Sequence, residues 1–331
     1  MTLIKAKLFT HTDLDGVGCA VVARHFFQKR LDVEYCSYGK INDKVKEFIV
    51  TGEFTEYDVV FITDISVNEE VAELIQTKAA NKFMLVDHHK TAEWLNKYDW
   101  AFVTPLQYNH KEDRNRITSG TNLFYEKLIS ILGPDSIAPS SVHGIAELQE
   151  FVEHVRMYDS WEWKNVYGNM VAKQLNDLLQ IVGLWDFEER FWKNPDIQFN
   201  HTEQRLLELE EKRINRHIKQ KSKELKKMDI ELEGNKYHVG LIFNESYHSE
   251  TGNVICDENH DIDFVIMVNI GYGTMSLRRR EDVDIDLGQV AKMFHESGGG
   301  HPPAAGTKVT DNQVNEIVHI LTNPDLFKFL P

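Results

Sequence analysis

The chain has 331 residues, of which 42% are hydrophobic and 27% charged, and this is long enough for two domains of ordinary size. Its formal net charge of −15 argues against a broad basic surface that grips long duplex nucleic acid, without excluding a short nucleotide held by local cations. The three cysteines are far apart and form no CxxC pair, so we expect no disulfides and a reducing, cytoplasmic setting. Polar residues interrupt every long apolar stretch, so we expect no membrane segment.

The first part of the chain alternates short apolar runs with segments of helical periodicity. Strands are predicted for the runs at residues 5–10 (KAKLFT), 57–65 (YDVVFITDI) and 81–89 (NKFMLVDHH). Helices are predicted for the segments whose apolar residues recur every three or four positions, at 16–30, 68–80, 119–132 and 144–159. This alternation predicts βαβ units and therefore a Rossmann-like α/β domain, with a parallel sheet covered by helices.

Residues 201–228 contain neither glycine nor proline and predict a long amphipathic helix that joins two domains. Strand patterns follow at 229–243 and 261–280, then a glycine-rich turn and a helix at about 311–322, which together predict a smaller α/β domain. The predicted divisions are an N-terminal domain, a helical linker and a C-terminal domain, at residues 1–195, 196–230 and 231–331.

Acidic and imidazole side chains follow all three predicted strands of the first domain. In chain order these residues are His11, Asp13, Asp15, Asp64, Asp87, His88 and His89. The carboxyl ends of parallel strands meet at one edge of a sheet, where ligands bind, so we expect these groups to lie together. Asp159, at the end of a predicted helix, can complete the group. A single aspartate at a strand end is often only a cap or turn residue, but three such strand ends indicate a site.

Carboxylates gathered this closely repel one another and raise one another's pKa, and bound divalent cations are the simplest compensation. A set of Asp and His ligands without Cys suits Mn²⁺, with Mg²⁺, Fe²⁺ or Co²⁺ as alternatives. Asp13 and Asp15 can each serve a different metal, and Asp64 is the natural bridge between two cations roughly 3.5–4 Å apart. Because such a pair clamps both oxygens of an in-line phosphoryl displacement, the pattern indicates phosphoryl-transfer chemistry.

A second constellation, GGGHPPAAG, lies near the C-terminus. Gly298, Gly299 and Gly300 allow backbone N–H groups to approach an anion, and His301 follows them as a donor to a phosphate or a transition-state oxygen. A flexible turn also explains the glycines, but it does not explain the histidine. Upstream, Arg278 lies near the end of a predicted strand, where its guanidinium fork can hold a phosphate.

These motifs resemble a known family. HTDLDG, the aspartate of FITDIS, VDHH and YDSW resemble, in order, the four motifs of the DHH phosphoesterase superfamily. GGGHPPAAG is similar to the signature of the DHH-associated C-terminal domain found in oligoribonucleases, nano-RNases and RecJ-type exonucleases. The resemblance spans nearly the whole chain through two independent signatures. It implies a phosphoesterase whose N-terminal domain holds two Mn²⁺ ions and whose C-terminal domain binds the nucleotide across an interdomain cleft.

The resemblance also implies a role for each matching residue. The implied ligands of the first metal are His11, Asp13 and Asp64. The implied ligands of the second metal are Asp15, Asp64, His88 and Asp159. His89 is expected beside the substrate phosphate, Asp87 as a carboxylate that orients a neighbouring group, and Arg278 and His301 as nucleotide contacts. One departure concerns His11, which precedes Asp13 by two residues where several branches have four, a spacing that resembles the RecJ-like and oligoribonuclease-like branches.

The expected activity is a metal-dependent phosphodiesterase that hydrolyses short RNA or DNA oligonucleotides, or linear dinucleotides, to mononucleoside 5′-phosphates. The alternatives for the same site are hydrolysis of cyclic nucleotides or cyclic dinucleotides, removal of the 3′-phosphate of 3′-phosphoadenosine 5′-phosphate, exonuclease action on single-stranded DNA, and a non-catalytic nucleotide-binding scaffold. A scaffold is disfavoured because all the matching positions are filled. A manganese pyrophosphatase is disfavoured because that branch lacks the GGGH loop. The oligomeric state, a homodimer included, stays open.

Two smaller features each allow two interpretations. Trp161 and Trp163, next to Asp159, can stack on a base or pack as core residues. Ser119 and Thr121 can contact phosphate or cap a helix.

Overall fold

The structure, a computed structural model, describes residues 4–109, 112–137, 145–296 and 298–310, together with residues 312 and 315. It divides into two compact units, Met1–Glu208 and Leu209–Pro331. The helix predicted at about 311–322 lies outside the described residues, apart from residues 312 and 315. Within the described part of the chain, no helix combines the length and apolar character needed to cross a bilayer.

The first unit is built on a five-stranded parallel sheet with the order β2-β1-β3-β4-β5. Its strands are β1 (Ala6–Thr10), β2 (Leu31–Tyr35), β3 (Val59–Thr63), β4 (Phe83–Asp87) and β5 (Ala101–Val103). The predicted parallel sheet and its three strands are thereby confirmed. Strands β2 and β5 were not predicted, because β2 alternates with charged residues and β5 has only three residues.

Helices cover both faces of this sheet. The helices of the first unit are α1 (Leu14–Phe27), α2 (Ile41–Val50), α3 (Glu69–Lys78), α4 (Gly120–Leu132), α5 (Ile145–Asp159), α6 (Glu162–Asn165), α7 (Met170–Val182) and α8 (Leu184–Lys193). Helix α9 (His201–Glu224) begins in the first unit and ends in the second. Short 3₁₀ helices lie at Gln28–Arg30, Glu53–Glu56, Lys90–Lys97 and Pro134–Ser136. Leu8 of β1 belongs to one apolar cluster and Phe9 to the other, because successive strand residues face opposite sides. Strands β6 (Leu106–Asn109) and β7 (Arg114–Ile117) form a separate hairpin.

The second unit contains a mixed sheet with the order β12-β13-β11-β10-β9-β8. Its elements are β8 (Lys226–Leu232), β9 (Asn235–Phe243), α10 (His248–Glu258), β10 (Phe264–Asn269), β11 (Thr274–Arg279), α11 (Leu287–Phe294), β12 (Gly299–His301) and β13 (Ala304–Lys308). Neighbouring strands are antiparallel except β9 and β10, which are parallel and are joined through α10. The predicted end of the long helix at residue 228 is wrong: α9 ends at Glu224, because residues from Lys226 pair with β9.

The packing of α4 on the sheet gives a test of the first unit's core. The side chain of Phe124 is fully buried, and its ring centroid lies 5.0 Å from that of Phe61 in an edge-on arrangement. We expect Phe124→Ala to lower the free energy of unfolding by about 3–5 kcal/mol, because the sheet cannot fill the cavity. Tryptophan fluorescence during urea unfolding reports on this unit, since all 6 tryptophans precede residue 193.

The matched control is Tyr108→Ala, at a residue of the same unit that is 47% exposed. We expect it to change the free energy of unfolding by no more than about 0.5 kcal/mol. A loss below about 1 kcal/mol in Phe124→Ala would contradict the close packing described for this face.

Candidate active site

The side chains that follow β1, β3 and β4 meet at the carboxyl edge of the parallel sheet, as the topology requires. His11 Nδ1 lies 2.8 Å from Asp13 Oδ2 and 4.0 Å from Asp64 Oδ2. His88 Nε2 lies 3.2 Å from the other oxygen of Asp64, Oδ1. Asp64 therefore presents one carboxylate oxygen to His11 and the other to His88. These two histidines belong to different groups of potential ligand atoms.

The second group adds two more carboxylates. His88 Nε2 lies 3.6 Å from Asp15 Oδ2 and 3.5 Å from Asp159 Oδ2. Asp159 is the last residue of α5, so a helix end completes a group that is otherwise built from strand ends. Ligand atoms of His11, Asp13 and Asp64 form one cluster, and those of Asp15, His88 and Asp159 form another, each with all its atoms within 4.8 Å of one another.

The backbone at Asp64 turns its carboxylate into the site. This residue has φ of 55°, a left-handed conformation that aspartate tolerates better than most side chains. The start of α4 packs directly against it: a Cβ added to Gly120 would lie 2.6 Å from Asp64 Cβ. A glycine is therefore needed at position 120 for the helix to approach this close.

The N-terminus of α4 also holds Asp15. The backbone N–H groups of Gly120 and Thr121 donate to Asp15 Oδ2 at 2.5 Å and Oδ1 at 2.9 Å. A carboxylate in this position is stabilised by the free N–H groups and the dipole of the helix. Ser119 is the N-cap of α4 and forms a capping box with Asn122, so the helix-cap interpretation of Ser119 is confirmed. The Thr121 hydroxyl donates to the Asp15 carbonyl oxygen at 2.6 Å.

A buried carboxylate, Asp87, holds the ring of His89 in one orientation. Its Nδ1 lies 2.7 Å from Oδ1 of Asp87, a fully buried carboxylate that also accepts a hydrogen bond from the Ser66 hydroxyl. Burial acts to lower the pKa of His89, but the hydrogen bond and charge of Asp87 outweigh it and raise that pKa to about 9. His89 is therefore a cation at neutral pH, in an orientation set by Asp87. This is the contact expected of an orienting carboxylate.

The electrostatics of the acidic groups favour cation binding. Burial, followed by the charges of Asp15 and Asp13, raises the pKa of Asp64 well above its usual range. Burial also raises the pKa of Asp159, to about 7. The charge of His88 opposes this rise, and the charge of Asp15 adds to it. The ionised forms of Asp64 and Asp159 are thus disfavoured unless further positive charge is present, whereas for Asp13 the hydrogen bond and charge of His11 outweigh burial and lower the pKa to about 2.

Three buried atoms at the centre of the site make no hydrogen bond of acceptable geometry within the described part of the chain, although both histidine nitrogens among them lie close to carboxylate oxygens. They are His11 Nδ1, Asp64 Oδ2 and His88 Nε2. Buried polar atoms are normally hydrogen-bonded, so atoms without such partners that converge on carboxylate oxygens have the character of metal ligands. The donor set, aspartate oxygens and imidazole nitrogens without thiolates, is one that divalent cations such as Mn²⁺ or Mg²⁺ accept. The residues therefore fit a divalent metal site.

The strand register of the second unit relates two of the predicted residues. Arg278 of β11 pairs with Ala304 of β13, and Ala304 pairs with His301 of β12, so Arg278 and His301 occupy one row of the sheet. Arg278 Nη2 donates to Ser249 Oγ at 3.0 Å. The glycines have distinct surroundings: a Cβ on Gly298 would lie 2.1 Å from the Ala291 carbonyl oxygen, whereas one on Gly299 would meet nothing within 4 Å.

Gly300 is required by its backbone. It has φ of 141°, and a Cβ there would lie 2.6 Å from the Ala304 carbonyl oxygen. Close packing thus accounts for Gly298 and Gly300, while Gly299 has open space above it. Their role in binding a phosphate stays a prediction.

Three residues of the first unit that support the site have no recognisable signal in the sequence. Gly120 and Ser66 contact the predicted carboxylates, as described above. Tyr38, in the loop after β2, lies with its hydroxyl 3.2 Å from His89 Nε2. Of the two tryptophans near Asp159, Trp163 is buried, which confirms core packing, and Trp161 adopts a left-handed backbone conformation with φ of 62°.

Gly120 provides a test of the site's geometry. Gly120→Ala keeps the N–H group that binds Asp15 but forces a Cβ against Asp64. We expect divalent-metal affinity to fall about 10- to 100-fold, the usual effect of disturbing a group that orients metal ligands. Calorimetric titration with Mn²⁺ measures this. Gly271→Ala is the control, because its Cβ would meet only Asn269 Oδ1 at 3.6 Å. Unchanged affinity in a folded Gly120→Ala variant would show that the close approach is dispensable.

Comparisons with known proteins agree with this geometry. Residues 6–146 match the DHH family, N-terminal domain, and residues 249–323 match the DHHA1 domain. Over 311 residues the chain is 36% identical to oligoribonuclease NrnB of Bacillus subtilis (strain 168), which covers 92% of this chain and 73% of that protein. It is 23% identical over 338 residues to a 3′,5′-cyclic-nucleotide phosphodiesterase of Helicobacter pylori, which covers 91% of each chain.

A solved structure shares the fold. It is the DHH domain of a member of the s1p family of ribosomal proteins, with a TM-score of 0.62 and 14% identity, and the match covers 98% of this chain and 87% of that one. The two family matches lie one in each unit of the structure, and the 36% identity extends over most of the chain. The chain therefore belongs to the DHH family of phosphoesterases and carries a DHHA1 domain after its DHH domain.

Proposed function

We propose that this protein is a two-metal phosphodiesterase that hydrolyses short oligonucleotides or linear dinucleotides to mononucleoside 5′-phosphates. The observation that carries the proposal is the pair of ligand clusters that lie on either side of Asp64. The identity to an oligoribonuclease supports short RNA as the substrate class. The net charge of −15 supports a short substrate over a long one, because a long strand needs an extended basic surface.

Each cluster would hold one cation, and Asp64 would belong to both. The proposed ligands of the first metal are His11, Asp13 and Asp64. The proposed ligands of the second metal are Asp15, Asp64, His88 and Asp159. We propose Mn²⁺ at both positions, with Mg²⁺ or Co²⁺ as alternatives, since the set offers oxygen and imidazole donors only. When bound, two such cations would lower the pKa of a water molecule and neutralise charge on the phosphoryl oxygens.

The residues around the ligands have supporting tasks. The N-terminus of α4 keeps the Asp15 carboxylate oriented through two backbone hydrogen bonds. Asp87 fixes the ring of His89, which places a cationic imidazole beside the site for the substrate phosphate. In the second unit, Arg278, His301 and the glycines at 298–300 are the proposed nucleotide contacts. An arginine and a histidine at register positions in one row of a sheet suit a group that carries phosphate.

A panel of substrates tests the proposed specificity. With Mn²⁺ present, we expect kcat/KM for a linear dinucleotide to exceed that for long RNA or single-stranded DNA by at least about tenfold, because a short substrate places both ends in the site. The 23% identity to a cyclic-nucleotide phosphodiesterase makes cyclic nucleotides the second candidate substrate. The panel therefore includes cyclic nucleotides, cyclic dinucleotides, 3′-phosphoadenosine 5′-phosphate and pyrophosphate. Equal or faster turnover of long strands or of any of these compounds would contradict the proposal.

Two ligand variants separate an enzyme from a nucleotide-binding scaffold. We expect Asp64→Ala and His88→Ala to lower kcat by about 100-fold or more, because each residue belongs to one of the two clusters and their contact at 3.2 Å joins them. Circular dichroism checks that the fold is kept. Asp99→Ala, at an exposed aspartate that precedes β5 at the opposite edge of the sheet, is the control and should leave activity unchanged. A scaffold would show no metal-dependent turnover in the wild-type chain and no response to either ligand variant.

A further inference from the structure

Tyr38 lies beside the site but belongs to none of the motifs described above. It is in the loop between β2 and α2, which leaves the sheet at the same carboxyl edge as the metal-binding groups. The loop is held at both ends: the Cys36 N–H donates to the Thr10 carbonyl oxygen at 2.8 Å, and Ile41 is buried at the start of α2. Between them, the Lys40 N–H donates to the Ser37 carbonyl oxygen at 2.9 Å. Tyr38 is therefore presented by a short, anchored turn.

The ring of Tyr38 packs against two imidazoles of the site. Its centroid lies 4.7 Å from the ring centroid of His11 and 6.2 Å from that of His89, edge-on to the latter at 89°. Its hydroxyl lies 3.2 Å from His89 Nε2. Because Nδ1 of the same imidazole is bonded to Asp87, Tyr38 contacts the remaining ring nitrogen. The hydrogen-bonded series Asp87, His89, Tyr38 thus runs from the buried end of β4 to the surface.

Tyr38 is nevertheless an exposed residue, with a relative exposure of 56%, although its ring contacts both histidines. An exposed aromatic ring beside a site for phosphate is suited to stack on a base, and such stacking tolerates any base because each has a π face. A substrate of only two or three nucleotides offers few bases, so one stacking contact contributes a large share of its binding free energy.

We propose that Tyr38 is a substrate-binding residue, whose exposed ring stacks on one base of the substrate and whose hydroxyl fixes the ring of His89. The proposal rests on the proposed function, since it requires a substrate that contains nucleotides. It assigns separate tasks to two parts of one side chain. The ring contributes to substrate affinity, and the hydroxyl contributes to the alignment of His89 at the phosphate.

Two substitutions separate these tasks in the metal-loaded full chain. Tyr38→Ala removes the ring, and we expect KM for a dinucleotide to rise about 5- to 150-fold, the range found when an aromatic residue that stacks on a base is replaced by alanine. Tyr38→Phe keeps the ring, so KM should stay close to the wild-type value while kcat falls about 3- to 10-fold with the loss of one hydrogen bond. Tyr57→Phe is the control, because its hydroxyl bonds Asp32 at the start of β2, at the opposite edge of the sheet.

A base-free substrate identifies stacking directly. With dinucleotides in which either base is replaced by hydrogen, the effect of Tyr38→Ala on KM should vanish for one of the two analogues. A KM increase that is the same for both analogues and for the intact dinucleotide would overturn the stacking role, and so would an unchanged KM in Tyr38→Ala. An unchanged kcat in Tyr38→Phe would overturn the role of the hydroxyl.

A binding measurement keeps this inference separate from the proposed function. If the wild-type chain hydrolyses no dinucleotide, the proposed function fails, and calorimetric titration with guanosine 5′-monophosphate and with ribose 5-phosphate still tests Tyr38. We expect Tyr38→Ala to weaken binding of the nucleotide and to leave binding of the sugar phosphate unchanged. Equal binding of the nucleotide by the wild-type chain and Tyr38→Ala would overturn the inference.

Discussion

Mutual repulsion among the carboxylates of Asp13, Asp15, Asp64 and Asp159 is the constraint around which the first unit is organised. The four acids contribute to two neighbouring groups, each with its ligand atoms within 4.8 Å of one another, and burial and charge raise the pKa of Asp64 and Asp159. The chain offsets part of this cost with two imidazoles and with the N-terminus of α4. The buried atoms that still have no hydrogen-bond partner mark the places where divalent cations would complete the balance.

The parallel topology explains why these groups are held so rigidly. Strands that run in the same direction deliver their carboxyl ends to one edge, and β1 and β3 are paired in register up to Thr10 and Thr63, directly before the acidic residues. The proposed metal ligands therefore follow strands that are buried in the centre of the sheet. In the second unit, antiparallel pairing of β11 with β13 and of β13 with β12 places Arg278 and His301 in one row of the sheet.

The three histidines at this edge of the sheet have two kinds of surroundings. His11 and His88 have buried nitrogens without hydrogen-bond partners, as expected of ligands, whereas both ring nitrogens of His89 have contacts, with Asp87 and Tyr38. The adjacent residues His88 and His89 of the DHH motif are thus suited to different roles by the groups around them. A cation with a fixed orientation suits a phosphate group, while an imidazole with a free nitrogen suits a metal.

The sequence by itself determined the parallel sheet of the first unit, because three apolar runs alternate with helical segments, and it determined which strand ends carry acids and histidines. It also separated the glycine-rich motif near the C-terminus from this group. Only the tertiary structure decided that Asp64 lies between two clusters, that α4 binds Asp15 through Gly120, and that Tyr38 reaches His89. The physical reason is that strand periodicity is a local property, whereas the contacts of Gly120 and Tyr38 join segments that are distant in sequence and become adjacent only when the sheet and its helices pack.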